Sequence, residues 1–398
     1  MKTKAVIENG FKETEIGLIP EDWEVVNVDK YIQFERGTEP GSENYNKDKK
    51  GVRFLRVVDI SGSRDDKTYT TSKKLKLCKK KDILITFDGS PGIVKQGLEG
   101  AYSSGIRKVV IINKDLFSDY VYYVLQTIYV QRTIEKYTTG VTIKHSSKAI
   151  LHIKIPFFSI QEQQKIAFVL SKIQQAIEQQ DRIIETTREL KKSLMNKLFT
   201  EGLHGEEQKE TDIGLMPKSW DVRKINEFAK IKYGKQKPKI IGQIPVVGSS
   251  RIYAWCEKPL INFPTLIVGR KGNAGAVHLF LEPCWPSDTT FYLEWKSEMV
   301  TPKFLYYYMS INQLSGEHAK TTIPSLQRQD LENYRFPFPN ISEQLDIIKA
   351  IDKIDKKLSQ AESKKQTFQA LFRTMLNQLM TGKIRVKIRV RDLDVEVN

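Results

Sequence analysis

Thr14-Glu15-Ile16-Gly17-Leu18-Ile19-Pro20-Glu21-Asp22-Trp23-Glu24-Val25 returns 197 residues later as Thr211-Asp212-Ile213-Gly214-Leu215-Met216-Pro217-Lys218-Ser219-Trp220-Asp221-Val222. Seven of the twelve positions are identical, and three more are Glu/Asp or Ile/Met exchanges. A second pair follows at an offset of 181. Ile155-Pro156-Phe157-Phe158-Ser159-Ile160-Gln161-Glu162-Gln163 matches Phe336-Pro337-Phe338-Pro339-Asn340-Ile341-Ser342-Glu343-Gln344. That offset holds without a gap until Leu194, Asn196, Leu198 and Thr200 meet Met375, Asn377, Leu379 and Thr381. The 398-residue chain is therefore two copies of one frame: a Gly-x-x-Pro-x-x-Trp opening, a variable block, a Pro-Phe step and a long helix. The first variable block is 16 residues longer, and the two blocks share little sequence.

Each Pro-Phe step leads into a helical pattern. Ile166, Val169, Ile173, Ala176, Gln180, Ile183, Thr187, Leu190 and Leu194 alternate at spacings of three and four, and no Pro or Gly interrupts residues 161–201. The second copy offers Ile347, Ala350, Ile354, Lys357, Ala361, Lys364, Phe368, Leu371 and Met375. Leu170, Ile177, Ile184 and Leu198 widen the first stripe, and Ile351, Leu358, Phe372 and Leu379 the second. Helices of this length run to roughly 55–60 Å. A stripe that long needs a partner of matching length, which the other helix supplies, so the spacing predicts an antiparallel, coiled-coil-like seam. Polar residues at Gln180, Thr187, Lys357 and Lys364 make the seam imperfect. A helical hairpin that serves only as a spacer fits the same pattern.

The variable blocks look mixed and strand-rich. Residues 52–58, 82–87 and 107–112 read as strands in the first, followed by a helix over about 119–136. In the second, residues 243–247 and 265–268 read as strands, with a helix at about 302–314. Both carry a Gly-x-x-Gly turn after an apolar strand: Phe87-Asp88-Gly89-Ser90-Pro91-Gly92 and Arg270-Lys271-Gly272-Asn273-Ala274-Gly275. A phosphate-binding P-loop is excluded, because its spacing and Lys-Ser/Thr ending are absent. A DNA-contacting loop and an ordinary hairpin turn both remain.

The chain holds 64 Lys+Arg against 48 Asp+Glu, a formal net charge of +16, which points to a polyanion and above all to nucleic acid. The surplus is spread: net +7 over residues 1–160, +2 over 161–200, +3 over 201–342 and +4 over 343–398. A broad surface fits this better than a basic arm. The candidate DNA-binding residues are Arg36, Arg53, Lys95, Arg107, Lys108, Lys144 and His145 in the first block. In the second they are Lys235, Lys237, Arg251, Arg270, Lys271, Lys320, Gln327 and Arg328. Arg and Lys suit guanine edges, Gln suits adenine, and any of them suits phosphate.

Several classes fall away. No apolar run approaches the ~20 residues of a membrane span, and the opening residues have no apolar signal-peptide core. Three scattered cysteines (Cys78, Cys256, Cys284) argue against a disulfide framework or structural zinc and fit a reducing cytoplasm. The five histidines lack metal-ligand spacing. No Asn/Asp-Pro-Pro-aromatic tetrapeptide of amino-methyltransferases and no Gly-rich cofactor loop is present, so no metal site or bound cofactor is expected. Asp288, Glu294 and Lys296 faintly echo the carboxylate-carboxylate-lysine set of metal-dependent nucleases, which would make the chain a single-chain endonuclease. A third reading is a helical scaffold that binds only proteins.

The doubled Ile-Gly-Leu-x-Pro-x-x-Trp openings, the doubled Pro-Phe…Ile-x-Glu-Gln steps and the two long helices resemble the DNA-specificity subunits of type I restriction-modification systems. The resemblance spans nearly the whole chain. It implies an α+β architecture of two mixed α/β target recognition domains joined by two long antiparallel coiled-coil-like helices in a pseudo-twofold internal repeat. The segments are then 1–158 (first target recognition domain), 159–203 (first helix), 204–339 (linker and second target recognition domain), 340–382 (second helix) and 383–398 (tail). It implies a chain without catalytic activity of its own that reads two short halves of a split, asymmetric site on double-stranded DNA. Two modification subunits, holding S-adenosylmethionine and methylating adenine, assemble on it, with restriction (translocase) subunits where these exist. Helix length would act as a ruler for the spacer. The tail Lys383-Ile384-Arg385-Val386-Lys387-Ile388-Arg389-Val390-Arg391 departs from the family pattern and reads as an edge strand able to pack on the N-terminal region, or as a frayed terminus.

Overall fold

The computed structural model describes residues 10–62, 66–314 and 325–387. Two compact units divide the chain: residues 1–179 with 365–398, and residues 180–364. The dividing lines fall inside the two long helices.

In the first unit the opening motif is a hairpin, Phe11–Thr14 with Gly17–Pro20. It leads to β1 (Glu24–Asn27), β2 (Ile32–Arg36) and β3 (Val52–Leu55). A helical turn at Val57–Ser61 then interrupts the strand expected over 52–58. β4 (Ile83–Thr86), β5 (Val94–Lys95), β6 (Gly100–Tyr102) and β7 (Ile106–Ile111) complete two sheets. One has the order β5-β4-β7-β2, and the other is built around parallel β3 and β6. The helix expected over 119–136 is two helices, α1 (Ser118–Val124) and α2 (Ile128–Lys136). Thr127 breaks it, turning its hydroxyl onto the Val124 carbonyl at 2.6 Å. β8 (Lys154–Phe157) pairs with β1 and delivers the chain to α3 (Ile160–Glu201).

The second unit repeats this plan. The hairpin Gln208–Thr211/Gly214–Pro217 precedes β9 (Asp221–Lys224) and β10 (Ala229–Tyr233). β11 (Ile244–Val247), β12 (Thr265–Gly269), β13 (Val277–Phe280), β14 (Trp285–Pro286) and β15 (Thr290–Trp295) follow. The main sheet has the order β13-β12-β15-β10, strand for strand that of the first unit, and β11 runs parallel to β14 as β3 does to β6. α4 (Pro302–Ile311), β16 (Arg335–Phe338) and α5 (Ile341–Met380) end it.

The repeated Glu-Gln step explains why each frame closes. The Trp23 indole donates to Glu162 Oε2 at 3.3 Å, and the Trp220 indole to Glu343 Oε2 at 3.0 Å. Gln163 is wholly buried. Its Oε1 accepts the Phe117 amide at 2.9 Å, and its Nε2 donates to the Asp115 and Phe158 carbonyls at 2.8 and 2.9 Å. Gln344, equally buried, accepts the Thr301 amide at 2.9 Å and donates to Met299 and Pro339. Each glutamine thus ties a long helix to the backbone just before the helix of its own domain.

The last turns of each helix enter the core built on the other copy's opening motif. Leu376, Leu379 and Met380 of α5 share a core with Ile19, Trp23, Ile166, Ala167 and Leu170. Met195, Leu198 and Phe199 of α3 share one with Met216, Trp220, Ile347 and Ile351. Both helices end on a left-handed glycine, Gly202 (φ +68°) and Gly382 (φ +67°), set against the prolines of those motifs, Pro217 and Pro20. Within the second unit Arg188 pairs with Glu362 and Lys191 with Asp355, both at 2.6 Å, which fixes the helices antiparallel.

The buried stripe runs along one edge of the expected one. Ile166, Leu170, Ile177, Ile184 and Leu198 are buried on α3, and Ile347, Ile351, Ala361 and Leu379 on α5. Val169 and Met375 pack at the edge of the first core and Leu194 at that of the second, while Ile173, Ile354 and Phe368 are half-buried. Ile183, Leu190 and Leu371 are exposed, which corrects their assignment to the seam. The apolar band is wide enough for either edge to serve, and the partner helix, not the periodicity, decides which is covered.

The tail is no strand over Lys383–Lys387, and residues 388–398 lie outside the described set. Arg385 nevertheless docks on the N-terminal region. It binds both Asp22 oxygens at 3.0 Å, reaches Glu162 at 2.5 Å through Nε, and lies 5.6 Å over the Trp23 ring. This hydrogen-bonded guanidinium holds the Asp22 carboxyl below its usual range. In the second copy Ser219 stands where Asp22 does and donates to Glu206 at 2.6 Å.

Replacing Gln163 by Ala strands three backbone groups that are buried or partly buried and is expected to lower unfolding free energy by about 1–3 kcal/mol in chemical denaturation. A loss below about 0.5 kcal/mol would contradict the clamp. Ile184→Ala is expected to cost about 2–4 kcal/mol and Leu190→Ala under about 0.5 kcal/mol; equal losses would restore the wider seam.

Candidate nucleic-acid interface

Backbone hydrogen bonds align the two domains residue by residue at one end of their main sheets. Gly92 N–H donates to Thr86 O at 2.8 Å, as Gly275 N–H does to Gly269 O at 2.9 Å. Phe87 and Asp88 both donate to Gly105 O, and Arg270 and Lys271 both donate to Thr289 O. The glycines adopt matching left-handed φ values: +78° and +92° at Gly89 and Gly92, +78° and +83° at Gly272 and Gly275. Only glycine takes such angles freely, so the two turns share one backbone.

The side chains around these turns differ. Asp88 corresponds to Lys271, and its bridge partner His145 to Ser325. Arg107 corresponds to Phe291 and Arg36 to Tyr233, each pair cross-strand neighbours. Val57 lies 3.5 Å from a Cβ built on Gly89, and Ser249 at the same distance from one on Gly272. One scaffold therefore presents two chemical surfaces.

In the first domain Arg36, Arg107, Lys144 and His145 come together. Arg36 and Lys144 are exposed, with Arg36 Nε donating to Ser104 O at 3.3 Å. His145 Nδ1 lies 2.8 Å from Asp88 Oδ1. Arg107 is 5 % exposed. It pairs with Asp88 at 3.5 Å and donates to Ser104 O, Ile106 O and Ser147 Oγ. Burial pulls its pKa down and Asp88 opposes this. Arg107 therefore anchors the cluster from below, a correction to its expected place on the binding surface. Lys108 is likewise occupied, by Glu35 at 3.1 Å and Leu77 O at 3.2 Å. Arg53 sits on the second sheet, 3.8 Å from Asp59. Lys95 lines a separate groove with Lys80, Lys81, Gln174 and Glu178.

In the second domain Lys235, Lys237, Arg251 and Lys271 are exposed. Arg270 lies over the Tyr233 ring at 5.2 Å and donates to Asp288 O at 3.4 Å, which makes it the support of this surface. Gln327 and Arg328 are exposed where a short helix, Arg328–Glu332, begins, and Arg328 is paired with Glu332. Lys320 lies outside the described residues. Sequence reasoning missed Asp88, Tyr233 and Ser249, which become visible only once the strands are aligned.

The nuclease set does not assemble. Asp288 lies in the turn before β15 and Glu294 near the strand's far end, four residues and roughly 13 Å beyond its first residue. Glu294 pairs with Lys232 at 3.5 Å, and Lys296 donates to Asn226 O at 2.8 Å. Among the described residues no group of three His, Cys, Asp or Glu side chains could hold a metal ion.

Comparison with known proteins adds an independent line. The family model for the type I restriction modification DNA specificity domain matches residues 20–187 and again 217–367. The type I restriction enzyme MjaVIII specificity subunit of Methanocaldococcus jannaschii is 28% identical over 415 residues, covering 96% of this chain and 97% of that one. The crystal structure of the type I restriction-modification S subunit from M. genitalium superposes with a TM-score of 0.61 at 18% identity, covering 96% and 98%. A chain from a structure described as the structural basis of complex assembly and conformational transition of the type I R-M system gives 0.52 at 14% identity, covering 92% and 99%. With both copies of its frame matched in turn, this chain belongs to the family of type I restriction-modification DNA specificity subunits.

Proposed function

We propose that each domain uses the end of its main sheet, around Gly89–Gly92 and Gly272–Gly275, to read one half of a split and asymmetric site on double-stranded DNA. The observation that carries this reading is one backbone bearing unlike side chains at matched positions. Identical scaffolds meet their targets in the same way, while Asp88/Lys271 and His145/Ser325 give them different partners. Exposed Arg36, Lys144, Lys235, Lys237, Arg251 and Lys271 supply phosphate and base contacts. The spacer between the halves follows the lengths of α3 and α5.

The chain itself carries out no chemistry in this reading. Two modification subunits bind S-adenosylmethionine and methylate adenine, and they dock on the long helices, with restriction subunits joining where they exist. Leu190 and Leu371 support the docking: they are exposed and repeat-equivalent, which suits two copies of one partner. The assembly acts in the cytoplasm. No described helix is long and apolar enough to cross a membrane.

Binding should be dominated by counterion release and fall steeply with salt. Titration of a duplex pool against the full chain is expected to show at least a tenfold affinity loss, roughly, between 50 and 200 mM salt. The Lys235→Ala/Lys237→Ala/Lys271→Ala variant should show a shallower slope. A slope unchanged by the three substitutions would contradict this surface.

A further inference from the structure

His145 and its surroundings are more specific than a phosphate contact requires. The imidazole is exposed, at 59 % of its side-chain surface, but it is not loose. Its strand residue pairs with Asp88 across a two-residue ladder, Lys144–His145 against Asp88–Gly89. Its Nδ1 is 2.8 Å from Asp88 Oδ1. Asp88 is only 15 % exposed and is itself held by Arg107, whose guanidinium is fixed by two backbone carbonyls and by Ser147. A carboxylate can only accept, so Nδ1 carries the hydrogen of this bond. In the neutral ring the outward Nε2 is then an acceptor with a fixed direction.

At the matched place the second domain has Lys271 bridged to Ser325. An ammonium only donates. At one bridged pair of a shared backbone the first domain thus offers an acceptor from its His145 arm, and the second a donor from the opposite arm, Lys271. Acceptors in the major groove read the exocyclic amino groups of adenine and cytosine, whereas donors read the N7 of either purine or the oxygens of guanine and thymine, which stand where those amino groups do.

Building on the reading of these sheet ends as DNA-facing, we propose that His145 is a specificity-determining residue whose Nε2 accepts a hydrogen bond from an exocyclic base amino group, with Asp88 as the positioning residue that sets the tautomer. His145 reads one position of one half-site. Lys271 acts in the other half.

The test is selection of duplexes from a randomised library by the full chain at pH 8, with the enriched sequences read for each variant. Wild type should enrich a split site with adenine or cytosine strongly preferred at one position of one half, and which base is enriched separates the two amino donors. His145→Ala should lower that preference by about tenfold and leave the other half unchanged. Asp88→Asn can donate to Nδ1 and turn an N–H outward, so its preference should move towards guanine or thymine at that position. A side chain that only supports the fold would weaken binding without moving the preference. If Asp88→Asn unfolds because Arg107 loses its partner, His145→Ala decides alone, since His145 is on the surface. The proposal is overturned if His145→Ala keeps every base preference, or weakens all sequences equally as a phosphate contact would. In either case an intact split site in wild type leaves the proposed function standing. A wild-type chain that enriches no sequence overturns both.

Discussion

The structure depends on one repeated clamp, the Glu-Gln pair at the start of each long helix. The glutamate holds the tryptophan of the opening motif, and the glutamine, buried with all three hydrogen bonds satisfied, holds the backbone ahead of the domain's helix. Buried amides in this setting are costly to leave unpaired, so each clamp fixes helix and domain as one body. The same geometry at Glu162-Gln163 and Glu343-Gln344 leaves everything between opening motif and clamp free to vary. That freedom lets a single chain carry two unlike surfaces on one frame.

The copies are not equivalent at their openings. Asp22 and Ser219 are the non-conservative exchange beside the tryptophan, and the reason lies at the far end of the chain. Arg385 folds onto Asp22, Glu162 and Trp23, whereas Ser219 is met by Glu206 from the linker after α3. Each opening is thus completed by residues that follow the other copy's long helix.

Much of this frame is legible in the sequence because it is repeated, and repetition needs no knowledge of packing. The helices, the matched Gly-x-x-Gly turns and the order of the segments could be read from residues alone. What could not be read depends on partners distant in sequence. Arg107 looks like any strand-borne arginine until the strands place Asp88 and Ser147 beside it. Leu190 and Ile184 belong to one apolar band, and only the neighbouring helix decides that Ile184 is covered. Arg36 and Tyr233 have nothing in common as residue types, and their equivalence rests on the strand pairs Arg36–Arg107 and Tyr233–Phe291. Specificity surfaces vary by nature, so a sequence repeat points to their frame and not to them.

The central claim is that the frame is common and the surfaces are interchangeable on it. It is tested most directly by replacing residues 28–153 with residues 225–334 and mapping the preferred DNA site of the hybrid. These segments lie between backbone-matched junctions, since Asn27 pairs with Lys154 as Lys224 does with Arg335. A hybrid that selects a site with two identical halves, both equal to the half read by the second domain in wild type, is the result expected. A folded hybrid that keeps the wild-type asymmetric site would contradict the account.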